Sequence, residues 1–108
     1  MAPKWYDYAT KSLKKDEKIE KNYPGRLDDE YGHLMISNEK LFFVKEEGFF
    51  SKKYSVTLNL PFENIESIHQ EDRYVLKIID KSGKVHDFRT EASASVVDKS
   101  LNEIIKHH

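Results

Sequence analysis

The 108-residue chain has room for one domain, and a globular chain of this length buries roughly two thirds of its unfolded surface. Eighteen Lys and Arg against nineteen Asp and Glu give a formal net charge of −1, without the basic surplus usual for a nucleic-acid binder. There is no cysteine, which excludes disulfide frameworks, thiolate zinc sites and cysteine nucleophiles and makes a reducing, cytoplasmic setting the default expectation.

Hydrophobic residues reach only 38% and charged residues 34%, but the 12% aromatic content argues for a folded domain rather than a disordered one. No run approaches the roughly 18 apolar residues of a spanning helix. The segment Met1 to Leu13 lacks the apolar stretch of a secretory signal.

Trp5, Ala9 and Leu13 recur at i, i+4 and i+8, one face of a short helix, and Pro3 suits its first turn. Residues 1–18 therefore read as a helical extension, with the charged stretch from Lys14 exposed up to Ile19. From Ile19 the pattern turns strand-like. Asn22-Tyr23-Pro24-Gly25 and Asp28-Asp29-Glu30 are turn material bracketing a short first strand. Gly32 to Ile36 alternates, with Leu34 and Ile36 facing one way and His33 and Met35 the other. Ser37-Asn38-Glu39-Lys40 is a polar break before Leu41-Phe42-Phe43-Val44, which predicts a β-hairpin.

Gly48-Phe49-Phe50-Ser51 forms a loop. Tyr54, Val56, Leu58 and Leu60 then fall on one face of a strand that Pro61 ends. Further strands are predicted over Ile65 to His69, Tyr74 to Ile79 and Val85 to Arg89, the last two joined by the Asp80-Lys81-Ser82-Gly83 turn. Thr90 and Ser93 are candidate N-caps for a helix whose buried stripe is Val97, Leu101, Ile104 and Ile105. The expected order is seven strands and one closing helix over residues 19–106. His107 and His108 read as the start of an expression tag and are given no function.

Two motifs carry a resemblance. Gly32-His33-Leu34-Met35-Ile36-Ser37-Asn38-Glu39-Lys40-Leu41-Phe42-Phe43-Val44 resembles the hairpin of prokaryotic PH-like domains and of the related GRAM and GLUE domains. Leu60-Pro61-Phe62-Glu63-Asn64-Ile65-Glu66-Ser67-Ile68 resembles their Ile-Pro-Leu-x-x-Ile-x-x-Ile segment. The resemblance covers about Ile19 to Ile105. It implies a mainly β fold, a seven-stranded antiparallel barrel or sandwich capped by the C-terminal helix, and it leaves the N-terminal helix outside the common core. Fold does not settle function.

No arrangement points to catalysis. Asp28-Asp29-Glu30 and Glu46-Glu47 read as solvated, and paired carboxylates do acid–base work only when burial or a partner splits their pKa values. His33, His69 and His86 lie on three strands without close ligand spacing. No phosphate-cradling loop or nucleophile motif is present, so no enzyme, cofactor or small-molecule substrate is expected. Arg73-Tyr74-Val75-Leu76-Lys77 interleaves basic and aromatic groups, but Glu71-Asp72 precede it and nucleic acid is not the expected partner.

Phosphoinositide-binding PH domains clamp the head group with basic residues near the first hairpin loop. Here that loop, Arg26-Leu27-Asp28-Asp29-Glu30, opposes phosphate. Phe49, Phe50, Lys52 and Lys53 are the leading partner- or membrane-binding residues, with one phenylalanine expected to fold under the rim. Two aromatics beside two lysines suit an anionic surface as well as a protein. Trp5, Tyr6 and Tyr8 are secondary interface candidates, because aromatics anchor interfaces, although packing on their own domain is the favoured reading. The expected function is a non-catalytic adaptor or scaffolding module, prokaryotic and cytoplasmic, that binds a protein partner or itself. The alternative is peripheral association with an anionic membrane.

Leu101 lies at the centre of the predicted helix stripe. Leu101→Ala should cost about 2–5 kcal/mol in equilibrium unfolding, and a loss under about 0.5 kcal/mol would mean that the helix does not dock.

Overall fold

The computed structural model describes residues 2–107; Met1 and His108, the end of the expected tag, lie outside the described residues. A short helix α1 (Lys4–Lys11) precedes seven strands: β1 (Ile19–Leu27), β2 (Glu30–Ser37), β3 (Lys40–Glu47), β4 (Lys53–Pro61), β5 (Ile65–Gln70), β6 (Val75–Asp80) and β7 (Val85–Thr90). A 3₁₀ turn over Phe62–Asn64 links β4 to β5, and helix α2 (Ala94–Lys106) closes the chain. All strand pairs are antiparallel, in the order β4-β3-β2-β1-β7-β6-β5. β4 and β5 stand at opposite ends of that order. The sheet is therefore open, and the closed form of the expected barrel is not reached.

Local chemistry accounts for the turns. Asp28 and Asp29 both have positive φ, 49° and 70°, the requirement of a two-residue primed hairpin turn that aspartate tolerates. At the β2–β3 turn the Ser37 hydroxyl accepts the Glu39 and Lys40 N–H groups at 3.1 and 3.0 Å. At the β6–β7 turn the Asp80 carboxylate accepts the Ser82 and Lys84 N–H groups, with Gly83 at φ 91°.

Gly25 and Gly32 face each other in register across β1 and β2. A Cβ at Gly25 would sit 2.4 Å from the Arg89 carbonyl oxygen and 2.8 Å from the Phe88 ring. One at Gly32 would sit 2.1 Å from the Val44 carbonyl oxygen and 2.8 Å from the Phe43 ring. Side chains are excluded at both positions because the backbone and an aromatic ring of the adjacent strand take up the space, and Phe43 and Phe88 meet edge to face at 6.2 Å. Pro24-Gly25 is consequently not the expected turn. It lies within β1, and Gly25 is the first residue of the pairing with β7 that runs to Leu27.

Leu34, Ile36, Leu41, Phe43, Leu76, Ile78 and Phe88 fill the main core, and α2 closes it with Val97 and Leu101 buried and Ile104 and Ile105 half-buried. Met35, Phe42 and Val44 point to the opposite face of the sheet, where α1 covers them with Ala9, Trp5, Tyr6 and Tyr8. Both faces of β2 and β3 are buried, which accounts for the unbroken apolar run Leu41-Phe42-Phe43-Val44.

Strand β4 departs from the sequence reading. Phe43 pairs with Leu58 but Val44 pairs with Val56, so Thr57 is an extra residue in a β-bulge. The bulge reverses the alternation: Leu58 and Leu60 enter the main core while Tyr54 and Val56 join the α1 cluster. These four do not share a face.

The linker after α1 is also less exposed than its charges suggest. Glu17 is buried, accepting the Lys14 N–H at 2.9 Å and the Ser37 hydroxyl at 2.5 Å, with Lys40 Nζ at 3.7 Å. Burial pushes its pKa up, but these partners outweigh burial and leave it below the ordinary carboxylate value. Lys18 and Asn38 add two bonds, Lys18 N–H to Asn38 Oδ1 and Asn38 N–H to the Lys18 carbonyl. This tether holds α1 over the sheet.

Because backbone carbonyl oxygen crowds Gly32, Gly32→Ala should destabilise the fold by about 1–3 kcal/mol, measured by chemical denaturation. A neutral result would mean that the β2–β3 bend relaxes freely.

Candidate functional site

Strands β3 and β4 are joined by residues 48–52. Gly48 has φ 102°, and a Cβ there would meet the Ser51 carbonyl oxygen at 2.4 Å, so the loop turns sharply at the glycine. Phe49 and Phe50 follow at 90% and 103% exposure, their ring centres 6.2 Å apart. Neither folds under the rim. The expectation that one would is corrected: β3 ends at Glu47, so the strand alternation that would direct one ring inward no longer applies.

The charges beside the tip are matched. Lys52 Nζ lies 3.9 Å from Glu46, and Lys45 bridges Glu30 and Glu47. Lys53 is exposed and makes no ion pair within 4 Å among the described residues. The four leading candidates, Phe49, Phe50, Lys52 and Lys53, thus form one protruding element with two bare aromatics and nearly balanced charge around it.

Trp5, Tyr6 and Tyr8 are placed differently. All three are half-buried against the outer face of β2 and β3. Trp5 stacks on His33 with centroids 3.7 Å apart and planes 10° from parallel, and the Tyr8 and Tyr54 rings are 5.8 Å apart. Their aromatic rings are engaged within the chain.

The three strand histidines have separate surroundings. His33 is buried between Trp5 and the edge of Tyr31, with Nε2 3.6 Å from Glu46 Oε2 and neither ring nitrogen in a hydrogen bond. Burial pushes its pKa down, and Glu46 only partly opposes this. His86 is buried with Nε2 3.0 Å from Asp80 Oδ2. The Asp80 carboxyl is held well below its ordinary value, chiefly by the Ser82 hydroxyl and then by His86. His69 is exposed. Among the described residues no group of three His, Cys, Asp or Glu is placed to hold a metal ion, and no helix is long and apolar enough to cross a membrane.

The sequence reading missed the Trp5–His33 stack and the burial of Glu17. Both pair residues from the N-terminal segment with residues about twenty or more positions on, which periodicity does not report. The only local signal was that His33 shares the Met35 face.

No family model matches the chain, and no curated protein matches it either. Among solved structures the fold is similar to the C-terminal domain of an unknown protein from Leishmania infantum. The TM-score is 0.61 at 9% identity, over 94% of this chain and 91% of that one. At that identity the likeness concerns the fold alone.

His33 generates a pH prediction. Its folded pKa lies below the ordinary histidine value near 6.5, so its stabilisation is complete above that value and is lost as pH falls through the depressed one. The unfolding free energy should decline as pH falls below about 6.5, and His33→Phe, which keeps an aromatic ring under Trp5, should flatten that decline. An unchanged slope in the variant would assign the dependence elsewhere.

Proposed function

We propose that this chain is a non-catalytic PH-like binding module that engages a partner protein, a second copy included, through the Phe49–Phe50 tip. Seven antiparallel strands followed by a closing helix, together with the Gly32–Val44 hairpin motif and the Leu60–Ile68 segment, support the PH-like reading. One observation carries the functional part: both phenylalanines stand fully in solvent at the end of the β3–β4 hairpin, while the two phenylalanines of β3 itself are fully buried. Seating a phenylalanine in an apolar socket gains about 1.5–3 kcal/mol. Two neighbouring rings fixed on one loop form the sort of aromatic anchor that dominates protein interfaces.

The charge balance favours a protein over a bilayer. An anionic surface gains about 1 kcal/mol from each nearby basic residue, but Glu46 and Glu47 offset Lys52 and Lys45 here. The unpaired Lys53 beside the two rings supports a second reading, shallow insertion into an anionic membrane.

A photoreactive phenylalanine analogue at position 50, irradiated in cells of the source organism, should yield a discrete protein adduct. Liposome co-sedimentation should show no response that Phe49→Ser/Phe50→Ser abolishes. Lipid adducts with binding to anionic vesicles would replace the protein by a membrane. No adduct of either kind would overturn the tip as the docking element.

A further inference from the structure

A second surface, away from the phenylalanine tip, carries an inference of its own. On the outer face of the sheet Arg26 of β1 and Arg89 of β7 are partners in register. Side chains of such a pair lie on one face, and like charges directly opposite one another destabilise a sheet. Neither guanidinium has an ion pair within 4 Å among the described residues, and the one bond recorded is Arg26 Nη1 to the Asp29 carbonyl at 3.2 Å. Two arginines, neither in an ion pair, thus face each other across the β1–β7 pairing.

They form the floor of a cleft of about 250 Å³. Tyr31, the β2 partner of Arg26, stands on one side and Tyr74 on the other, both partly exposed. The Tyr74 wall is fixed before any ligand arrives. Asp72 Oδ1 accepts the Tyr74 and Val75 N–H groups at 2.8 and 2.9 Å, and the Tyr74 carbonyl accepts the Thr90 N–H at 2.9 Å. Glu91 completes the rim.

Charge decides the ligand. Arg26 and Arg89 against Glu91 leave the lining one positive charge in excess, and Arg73, 5.8 Å over the Tyr74 ring, adds another beside the wall, which suits an anion. On their other side the same arginines line a hollow with Asp28, Asp29, Glu71 and Asp87. Lys77 already bridges Glu71 and Asp87, at 3.6 and 3.0 Å, so Asp28 and Asp29 are the carboxylates that oppose a phosphate dianion but attract a cation. The paired forks of two guanidiniums match a planar carboxylate, and tyrosine rings accept the methylenes that carry it.

We propose that this cleft binds the carboxylate of an acidic side chain in a partner polypeptide, with a neighbouring basic residue of the same segment reaching Asp28 and Asp29. The recognised ligand is therefore a dipolar acidic–basic peptide segment. This proposal stands independently of the role of the tip.

The test is a titration of the isotopically labelled protein followed by nuclear magnetic resonance. It reads the arginine side-chain Nε–H signals and the backbone signals of Gly25, Tyr31 and Thr90. The probe is a blocked tetrapeptide with adjacent glutamate and lysine. Controls are the same peptide with glutamine for glutamate, and inorganic phosphate. Shifts confined to the cleft, saturating with the glutamate peptide and weakened by salt, are expected. Arg89→Gln should weaken binding roughly tenfold or more. Because it removes a repulsive pair, it should unfold at the same temperature or higher, so loss of binding is separable from loss of fold. Equal binding of the glutamine peptide, stronger binding of phosphate, an unaffected Arg89→Gln variant, or shifts not localised to the cleft would each overturn the proposal.

Discussion

Everything in this molecule depends on two places where side chains are absent. Gly25 and Gly32 oppose one another, and each is overlaid by an aromatic ring from the neighbouring strand, Phe88 of β7 and Phe43 of β3. Contact between those rings joins β7 to β3 across the core. Without it the seven strands would have no reason to wrap one apolar face around Leu34, Ile36 and Leu76. A methyl group at either glycine would displace backbone oxygen rather than a flexible side chain, so the bend is imposed sterically. It also sets where β7 meets β1, and that meeting brings Arg26 opposite Arg89.

Folding the sheet over one face leaves the other face of β2 and β3 apolar, because Met35, Phe42 and Val44 alternate with the core residues. The chain resolves this with α1. Eight residues make a marginal helix in water, so α1 is held by what it covers and by the tether through Glu17, Ser37, Lys18 and Asn38. The bulge at Thr57 belongs to the same solution: it sends Tyr54 and Val56 to the α1 side while Leu58 and Leu60 stay in the core. Satisfying both layers buries His33 without a hydrogen bond and makes that contact sensitive to protons.

Two surfaces remain that the fold does not use. One is apolar, the Phe49–Phe50 tip, fully exposed next to compensated charges. The other is polar, the arginine cleft, where like charges face each other between two tyrosines. Both represent free energy not recovered within the chain. A module that binds two features of a partner, an apolar socket and a dipolar segment, would recover it on association. The seven antiparallel strands and closing helix supply the rigid frame that such a module needs.

Sequence alone determined the elements. Period-two alternation placed β2, β-forming residues placed β6, the polar breaks placed the turns that lead into β3 and β7, and the Val97–Leu101–Ile105 spacing placed the closing helix, because each signal is local in the chain. It also marked Phe49, Phe50, Lys52 and Lys53 as a loop set apart from both strands. Tertiary structure decided what depends on partners far apart in the chain. Pro24-Gly25 reads locally as a turn, yet it continues a strand because Phe88 requires the space above Gly25. Tyr54 and Val56 read as core, yet a bulge whose register is set by β3 turns them outward. Glu17 reads as solvated, yet Ser37 and Lys40 hold it buried. The pairing of Arg26 with Arg89, 63 positions apart by their numbers, exists only in the register of β1 and β7. Periodicity reports which face a residue takes, but the neighbour across a strand is chosen by how the whole sheet closes on its core.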